Sequence, residues 1–373
     1  MAESRNWASL PNDMVQCISD RLDDPLDFIS FRAVCQPWRE AITREAHGRF
    51  NPWILKSDRV GVDGKVLFHR MGSDKVLKLH VPALKGKRTR LAGFGAGHLI
   101  AIDVDDKLSA VLVNPLLPTA ASTTLPRLPE WCVGGGVTYG FTTDPEMTPG
   151  DKDVFVVIYN WWPYPHALER MDVAMWRCGS DAGWATVPAE RFWSRMPFLR
   201  RRLAEHGPMG LEVLEEDGVG NGAGMRWVPG LENAHLIEHD GMVRFLFREE
   251  DDWARFPSPQ VTFALQDMIG GENWALVNLA DVPELHDKII LQSSDSSCYV
   301  LPARDDDSVG PLSKNCIYFF SWQHLEEGRQ EYCLCKWDFL EHVSTVVKQM
   351  PGVWDCAEAR WFLPTLKHYC LHH

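Results

Sequence analysis

Apolar positions at helical spacing open the chain, and short alternating runs replace them after residue 52. Met14, Val15, Ile18 and Leu22 fall on one stripe of a helix. Pro11 suits the first turn, where its missing N–H is harmless, and Asp13 adds an acid near the positive helix end. Asp23-Asp24-Pro25 ends that helix. Asp27 is the expected N-cap of a second, with Phe28, Phe31 and Val34 as its apolar set. Cys35-Gln36-Pro37 starts a third, on which Trp38 and Ile42 stand four apart. Three helices this short can hardly bury so much apolar surface among themselves. Either they dock on the rest of the chain or they offer a face to a partner.

Glu45 to Pro52 reads as a polar connection and a domain boundary, and from Trp53 the texture is β. Apolar runs fall at 53–55, 66–69, 76–79, 99–103 and 110–113, then at 136–141, 154–159, 173–177 and 184–187. Further runs fall at 234–238, 243–248, 261–265, 274–277, 288–291, 298–301, 316–320 and 331–337. Asp240-Gly241 between two of them is a strong hairpin signal. Roughly twenty short strands with regular turns predict a sandwich, barrel or propeller. Two segments share the form Trp-Ala-x-Val, at 184–187 and 274–277. They lie 90 residues apart, two units of about 45, which is a propeller-blade length. Between Pro188 and Glu216, two apolar clusters, at 198–203 and 211–214, read as a helical insertion. Asp217 to Gly224 is glycine-rich and reads as a flexible linker.

The 373 residues suffice for a small N-terminal module and one large domain, or for three ordinary domains. Lys and Arg number 38 against 51 Asp and Glu, a net charge of −13 that argues against nucleic acid or an anionic membrane as the main partner. Sixteen Trp against seven Tyr suit strands packed face to face around large rings. The cysteines are scattered, and Cys17, Cys35 and Cys316 sit inside apolar runs, so buried thiols are expected in a reducing compartment. The first residues carry no apolar core before Trp7. A soluble intracellular protein, in the nucleus or cytoplasm, is therefore expected.

No motif anchors catalysis. Gly93-Phe94-Gly95-Ala96-Gly97 lacks the spacing and the following Lys-Ser/Thr of a nucleotide loop, and reads as a glycine-rich entry to a strand. Gly134-Gly135-Gly136 likewise opens a strand. Cys333 and Cys335 alternate on one strand face, with His324 and Cys356 near in sequence and His368, Cys370, His372 and His373 at the end of the chain. Without any Cys-x-x-Cys pair, no metal and no cofactor is expected. His166 and Glu169 follow Trp161-Trp162-Pro163-Tyr164-Pro165, an aromatic loop better suited to contact than to acid–base work. Arg200-Arg201-Arg202 reads as a solvated helix face.

The ordered set Leu10-Pro11, Ile18, Leu22, Asp27, Phe31, Val34-Cys35 and Trp38-Arg39 resembles the F-box, which binds the small adaptor subunit of cullin–RING ubiquitin ligases. It departs from that pattern by one extra residue between Leu22 and Asp27 and by Pro37 in place of a basic residue. A second set also recurs: Leu112-Val113-Asn114-Pro115, Trp274 with Val277-Asn278-Leu279, Asn315-Cys316-Ile317-Tyr318-Phe319, and Trp361-Phe362-Leu363-Pro364. It resembles plant F-box proteins, particularly of grasses, whose C-terminal domain is described as β-propeller-like. The resemblance implies a mainly β fold: an F-box over residues 1–48, then a propeller over 53–373, interrupted at about 188–224. It implies adaptor binding through Leu10, Pro11, Val15, Ile18, Leu22, Phe28, Phe31, Val34 and Trp38, and a protein cargo held by the β domain. Trp161, Trp162 and Tyr164 are the candidate cargo anchors. The expected role is a non-catalytic substrate receptor. The alternatives are a propeller enzyme or small-ligand sensor, and an F-box scaffold that does not lead to degradation.

Overall fold

A computed structural model describes residues 7–42, 50–73, 75–95, 97–117, 122–133, 137–143, 154–160, 173–177, 182–187, 211–213, 225–227, 234–239, 242–250, 261–269, 273–293, 298–303, 312–324, 330–350 and 359–366. The chain divides into two compact units, one of residues 1–160, 173–186 and 362–373, the other of residues 161–172 and 187–361.

The first unit opens with helices α1 (Asn12–Ser19), α2 (Pro25–Arg32) and α3 (Gln36–Ala41). The cap of α2 is Asp24, not the expected Asp27. Its carboxylate accepts from the amides of Leu26 (2.9 Å) and Asp27 (3.4 Å), and Pro25 takes the first helical position, where no N–H is needed. Cys17 is exposed, because it lies off the buried rows of α1.

Twelve strands follow: β1 (Trp53–Leu55), β2 (Arg59–Val60), β3 (Lys65–Arg70), β4 (Val76–His80), β5 (Thr89–Gly95), β6 (His98–Asp103), β7 (Ala110–Val113), β8 (Ser122–Thr124), β9 (Val137–Thr143), β10 (Val154–Asn160), β11 (Val173–Arg177) and β12 (Ala185–Val187). β5 to β8 and β9 to β12 are antiparallel meanders of four strands, joined by a parallel pairing of β5 with β9. β6 shows why its sequence is apolar throughout. Leu99 and Ala101 enter one core cluster, while Ile100 and Ile102 enter another on the opposite face.

The second unit contains β13 (Leu211–Val213), β14 (Met225–Trp227), β15 (Ala234–His239), β16 (Met242–Glu250), β17 (Val261–Ile269), β18 (Asn273–Val277), β19 (Lys288–Gln292), β20 (Cys298–Pro302), β21 (Cys316–His324), β22 (Gln330–Asp338) and β23 (Val343–Gln349). β15 to β18 form a third four-stranded meander. β19 to β23 form a sheet in the order β20-β19-β21-β22-β23, with β19 and β21 parallel. Phe263 of β17 packs ring to ring against Phe319 of β21 and Trp337 of β22. Residues 211–213, read from sequence as helical, form a strand paired with β14. Cross-strand partners outweigh the local helix signal of a Leu-Glu-Val run. The remainder of 188–224 lies outside the described residues.

The last strand, β24 (Arg360–Phe362), joins β1, β3 and β4 in the order β24-β1-β3-β4. Phe362 then packs against Trp53 and Phe68. Beyond it the chain lies against the β5–β6 turn. Asn114 Nδ2 donates to the Thr365 carbonyl at 3.1 Å, and Gly97, at φ +73°, leaves no room for a Cβ beside Thr365. Two of the three Asn residues of the recurring motifs have a shared local job. Asn114 and Asn278 each accept the amide two residues on, at 2.9 and 3.1 Å, and so turn the chain out of its strand.

Candidate functional site

The three helices carry apolar residues on more than one side. In α1, Val15 and Ser19 form the row facing inward and are buried, whereas Met14 (50% exposed) and Ile18 (38%) form the neighbouring row facing solvent. The single stripe expected from sequence is thus two i, i+4 rows with opposite fates. In α2, Phe28 is buried against Phe50 while Ile29 is exposed. α3 buries Trp38, whose indole donates to the Trp7 carbonyl at 3.2 Å and whose ring lies 4.5 Å from Phe31.

The inward side joins the β core. Val15, Phe28, Trp38, Ile42 and Phe50 belong to one cluster with Trp53, Leu55 and Phe68. Asp24 adds a polar tie, pairing with Arg70 of β3 at 3.1 Å. The nine expected adaptor residues therefore divide. Val15, Phe28 and Trp38 are core residues of this chain, because their rows face the sheet, and they are not offered to a partner. Leu10, Leu22 and Phe31 are half-buried at the core margin. Pro11, Ile18 and Val34 (60% exposed) face solvent. Met14, Ile29 and Trp7 belong with them by exposure. Sequence reasoning did not assign Ile29, since it stands beside Phe28 and outside the counted apolar set.

Among the described residues eleven large apolar side chains are exposed, and five of them, Trp7, Met14, Ile18, Ile29 and Val34, lie on residues 7–42. Val62 and Val104, by contrast, stand singly on the β part of the chain. Of the other six, four lie between Leu340 and Val347.

Residues 67–346 match the model of the KIB1-4 beta-propeller domain. The chain belongs to the KIB1-4 beta-propeller family. The match runs from β3 into β23, so the helical module and β24 lie outside it. The KIB1-4 propeller accounts for the repeated four-stranded meanders. It also accounts for the Trp-Ala-x-Val repeat: the two copies supply β12 and β18, each the fourth strand of its meander. No curated protein matches the chain.

Elsewhere in the KIB1-4 propeller, burial disfavours the thiolate at two cysteines. Cys333 and Cys335 lie in one core cluster, as their alternation on a strand requires. Burial pushes the Cys333 and Cys316 thiols up to about 11, with the nearby Asp338 carboxylate adding to the effect at Cys316. No group of three or more metal-ligating side chains stands together among the described residues. No described helix is long and apolar enough to cross a membrane. Trp161, Trp162 and Tyr164, with His166, Glu169, the 200–202 arginines, Cys356 and the terminal histidines, lie outside the described residues.

Proposed function

We propose that the chain is the substrate-receptor subunit of an SCF-type cullin–RING ubiquitin ligase. The helical module is an F-box that binds the adaptor subunit, and the propeller binds a protein cargo for ubiquitination. The observation that carries this reading is the outward apolar row of Pro11, Met14 and Ile18 together with Ile29 and Val34, on helices whose inward rows already have a partner in the sheet. The order of F-box-like helices and then a KIB1-4 propeller supports it. The chain does no chemistry in this role. It raises the local concentration of cargo lysines near the charged ubiquitin-carrying enzyme, in the nucleus or cytoplasm.

The test is adaptor binding by purified full chain, compared with the double variant Ile18→Asp and Val34→Asp. Wild type is expected to form a stable complex, and the variant to lose it with an unchanged melting curve. Equal adaptor binding by both proteins would sink the assignment.

A further inference from the structure

A chain of net charge −13 keeps one strongly basic stretch. Residues 56–90 hold ten Lys and Arg against three Asp and no Glu. The fold gathers the exposed cations of that stretch. β2 pairs with β5, the Gly86 amide donates to the Val62 carbonyl at 2.8 Å, and the Val81 amide donates to the Gly64 carbonyl at 2.8 Å. Residues 59–65 therefore run beside residues 81–90. Arg59 and Lys65 on one run, and Lys85, Lys87, Arg88 and Arg90 on the other, are all exposed. Arg59 stands directly across from Arg90. Residues so paired share one face of the ladder, and like charges placed there cost stability. Between the basic ends Val62 is 60% exposed, beside Gly61 and Gly86, which bring no side chain.

We propose that this basic ribbon binds an extended acidic segment of a partner protein, with Arg59 and Arg90 holding its carboxylates and Val62 meeting one apolar side chain. The planar fork of a guanidinium matches a carboxylate in geometry. A carboxylate set between Arg59 and Arg90 also relieves their repulsion, so the pair is more stable with the guest than without it. Four carboxylates of the chain already stand along the ribbon. Asp58 lies 4.0 Å from Arg59, Asp63 2.9 Å from Lys65, Asp103 3.4 Å from Lys87 and Asp105 2.7 Å from Arg88. The Lys65–Asp63 and Arg88–Asp105 pairs are open to water on both sides, and such pairs hold weakly, so the carboxylates of a guest can displace them. The negative charge of the whole chain opposes a long polyanion and leaves a short acidic peptide as the matched guest. The role of that guest as cargo rests on the receptor reading, but its binding does not. The test uses neither adaptor nor ligase, so the two can fail separately.

The probe is a labelled peptide of roughly nine residues, with glutamates at both ends around one leucine, long enough to reach along the ribbon when extended. It is titrated into the full-length protein. We expect saturable binding that weakens about ten-fold or more between roughly 50 and 500 mM salt. Arg59→Glu and Arg90→Glu should each weaken it about ten-fold or more. Each of these changes also turns a like pair into an opposite one, so the melting temperature should hold or rise. Arg21→Glu makes the same change of net charge at an exposed position just after α1, and should bind like wild type. No binding, binding indifferent to salt, or an equal loss in Arg21→Glu would overturn the proposal. So would undiminished binding by both ribbon variants, or a fall in melting temperature in both, which would assign the arginines to the fold. An oligonucleotide of equal charge that binds as tightly as the peptide would overturn it in favour of a general polyanion site. Self-association that the peptide competes away would overturn it in favour of a second copy of the chain.

Discussion

Single residues fix the places where distant segments meet. Gly97 combines a positive φ with a neighbour, Thr365, that occupies the space of a Cβ. Gly97→Ala is therefore expected to cost about 2–3 kcal/mol, read by denaturant unfolding; a cost near zero would mean that the C-terminal segment moves aside freely. The sequence reading of Gly93 to Gly97 as the entry to a strand holds only for Gly97, in the turn before β6; Gly93 to Gly95 instead close β5, and the reason for Gly97 was not legible because its partner lies far along the chain. Asp24 is a similar case. Asp27 and Asp24 both fit a cap by local pattern, and the choice falls to Asp24, which also reaches Arg70. Titration gives a second residue-scale prediction. Cys316 and Cys333 have folded values of about 11 against an ordinary 9.0, and burial also raises Tyr318. The folded state holds these groups neutral while the unfolded chain can ionise them. Their contribution is whole below pH 9 and is lost as the pH climbs from 9 toward 11. Melting temperature should fall across that window, and less steeply in a Cys316→Ala, Cys333→Ala double variant than in wild type. Parallel slopes would assign the loss to other groups.

At the scale of elements, apolar runs with turn residues between them were enough to find most strands, because pairing extends most such runs by only a residue or two, although β17 and β21 each run four residues further. The 53–55, 110–113 and 173–177 runs match β1, β7 and β11 end for end. Two of the missed strands have identifiable causes. β5, Thr-Arg-Leu-Ala-Gly-Phe-Gly, has little propensity of its own and is held by β2, β6 and β9. β24 is too short to signal alone. The helices were legible as helices, but their two-sidedness was not. An apolar count gives one stripe, whereas only packing shows which row faces the sheet. Paired substitutions in α1 test that division. Val15→Asp places a charge in the core and should unfold the protein or lower its stability by about 3 kcal/mol or more. Ile18→Asp, one turn away on the outer row, should leave the melting curve alone and weaken adaptor binding by about 2–4 kcal/mol, a hot-spot loss. Equal effects of the two on stability would contradict the assignment of rows.

For the whole molecule the sequence suggested a polar connection and a domain boundary over Glu45 to Pro52. The packing of the first unit argues otherwise. Phe50 and Pro52 are buried, the Asn51 amide donates to the Asp23 carbonyl at 2.8 Å, and Val15, Phe28, Trp38 and Ile42 sit in the same core as Trp53 and Phe68. A polar-looking linker hid this, since a boundary read from composition cannot see which surfaces it lies between. Burying each of those four helix side chains is worth about 1.5–3 kcal/mol, and together they rival the usual net stability of about 5–15 kcal/mol. A chain beginning at residue 50 should therefore melt about 10 °C or more below the full chain, or aggregate through its bared sheet face. The full-length Ile18→Asp, Val34→Asp variant should melt with wild type, because it changes only the outward face. If the shortened chain melts with the full chain, the helices are passengers on the sheet and the shared core contributes little. If it melts early, loss of cargo binding on deleting the helices would report unfolding rather than loss of the adaptor, and only the point variants separate the two.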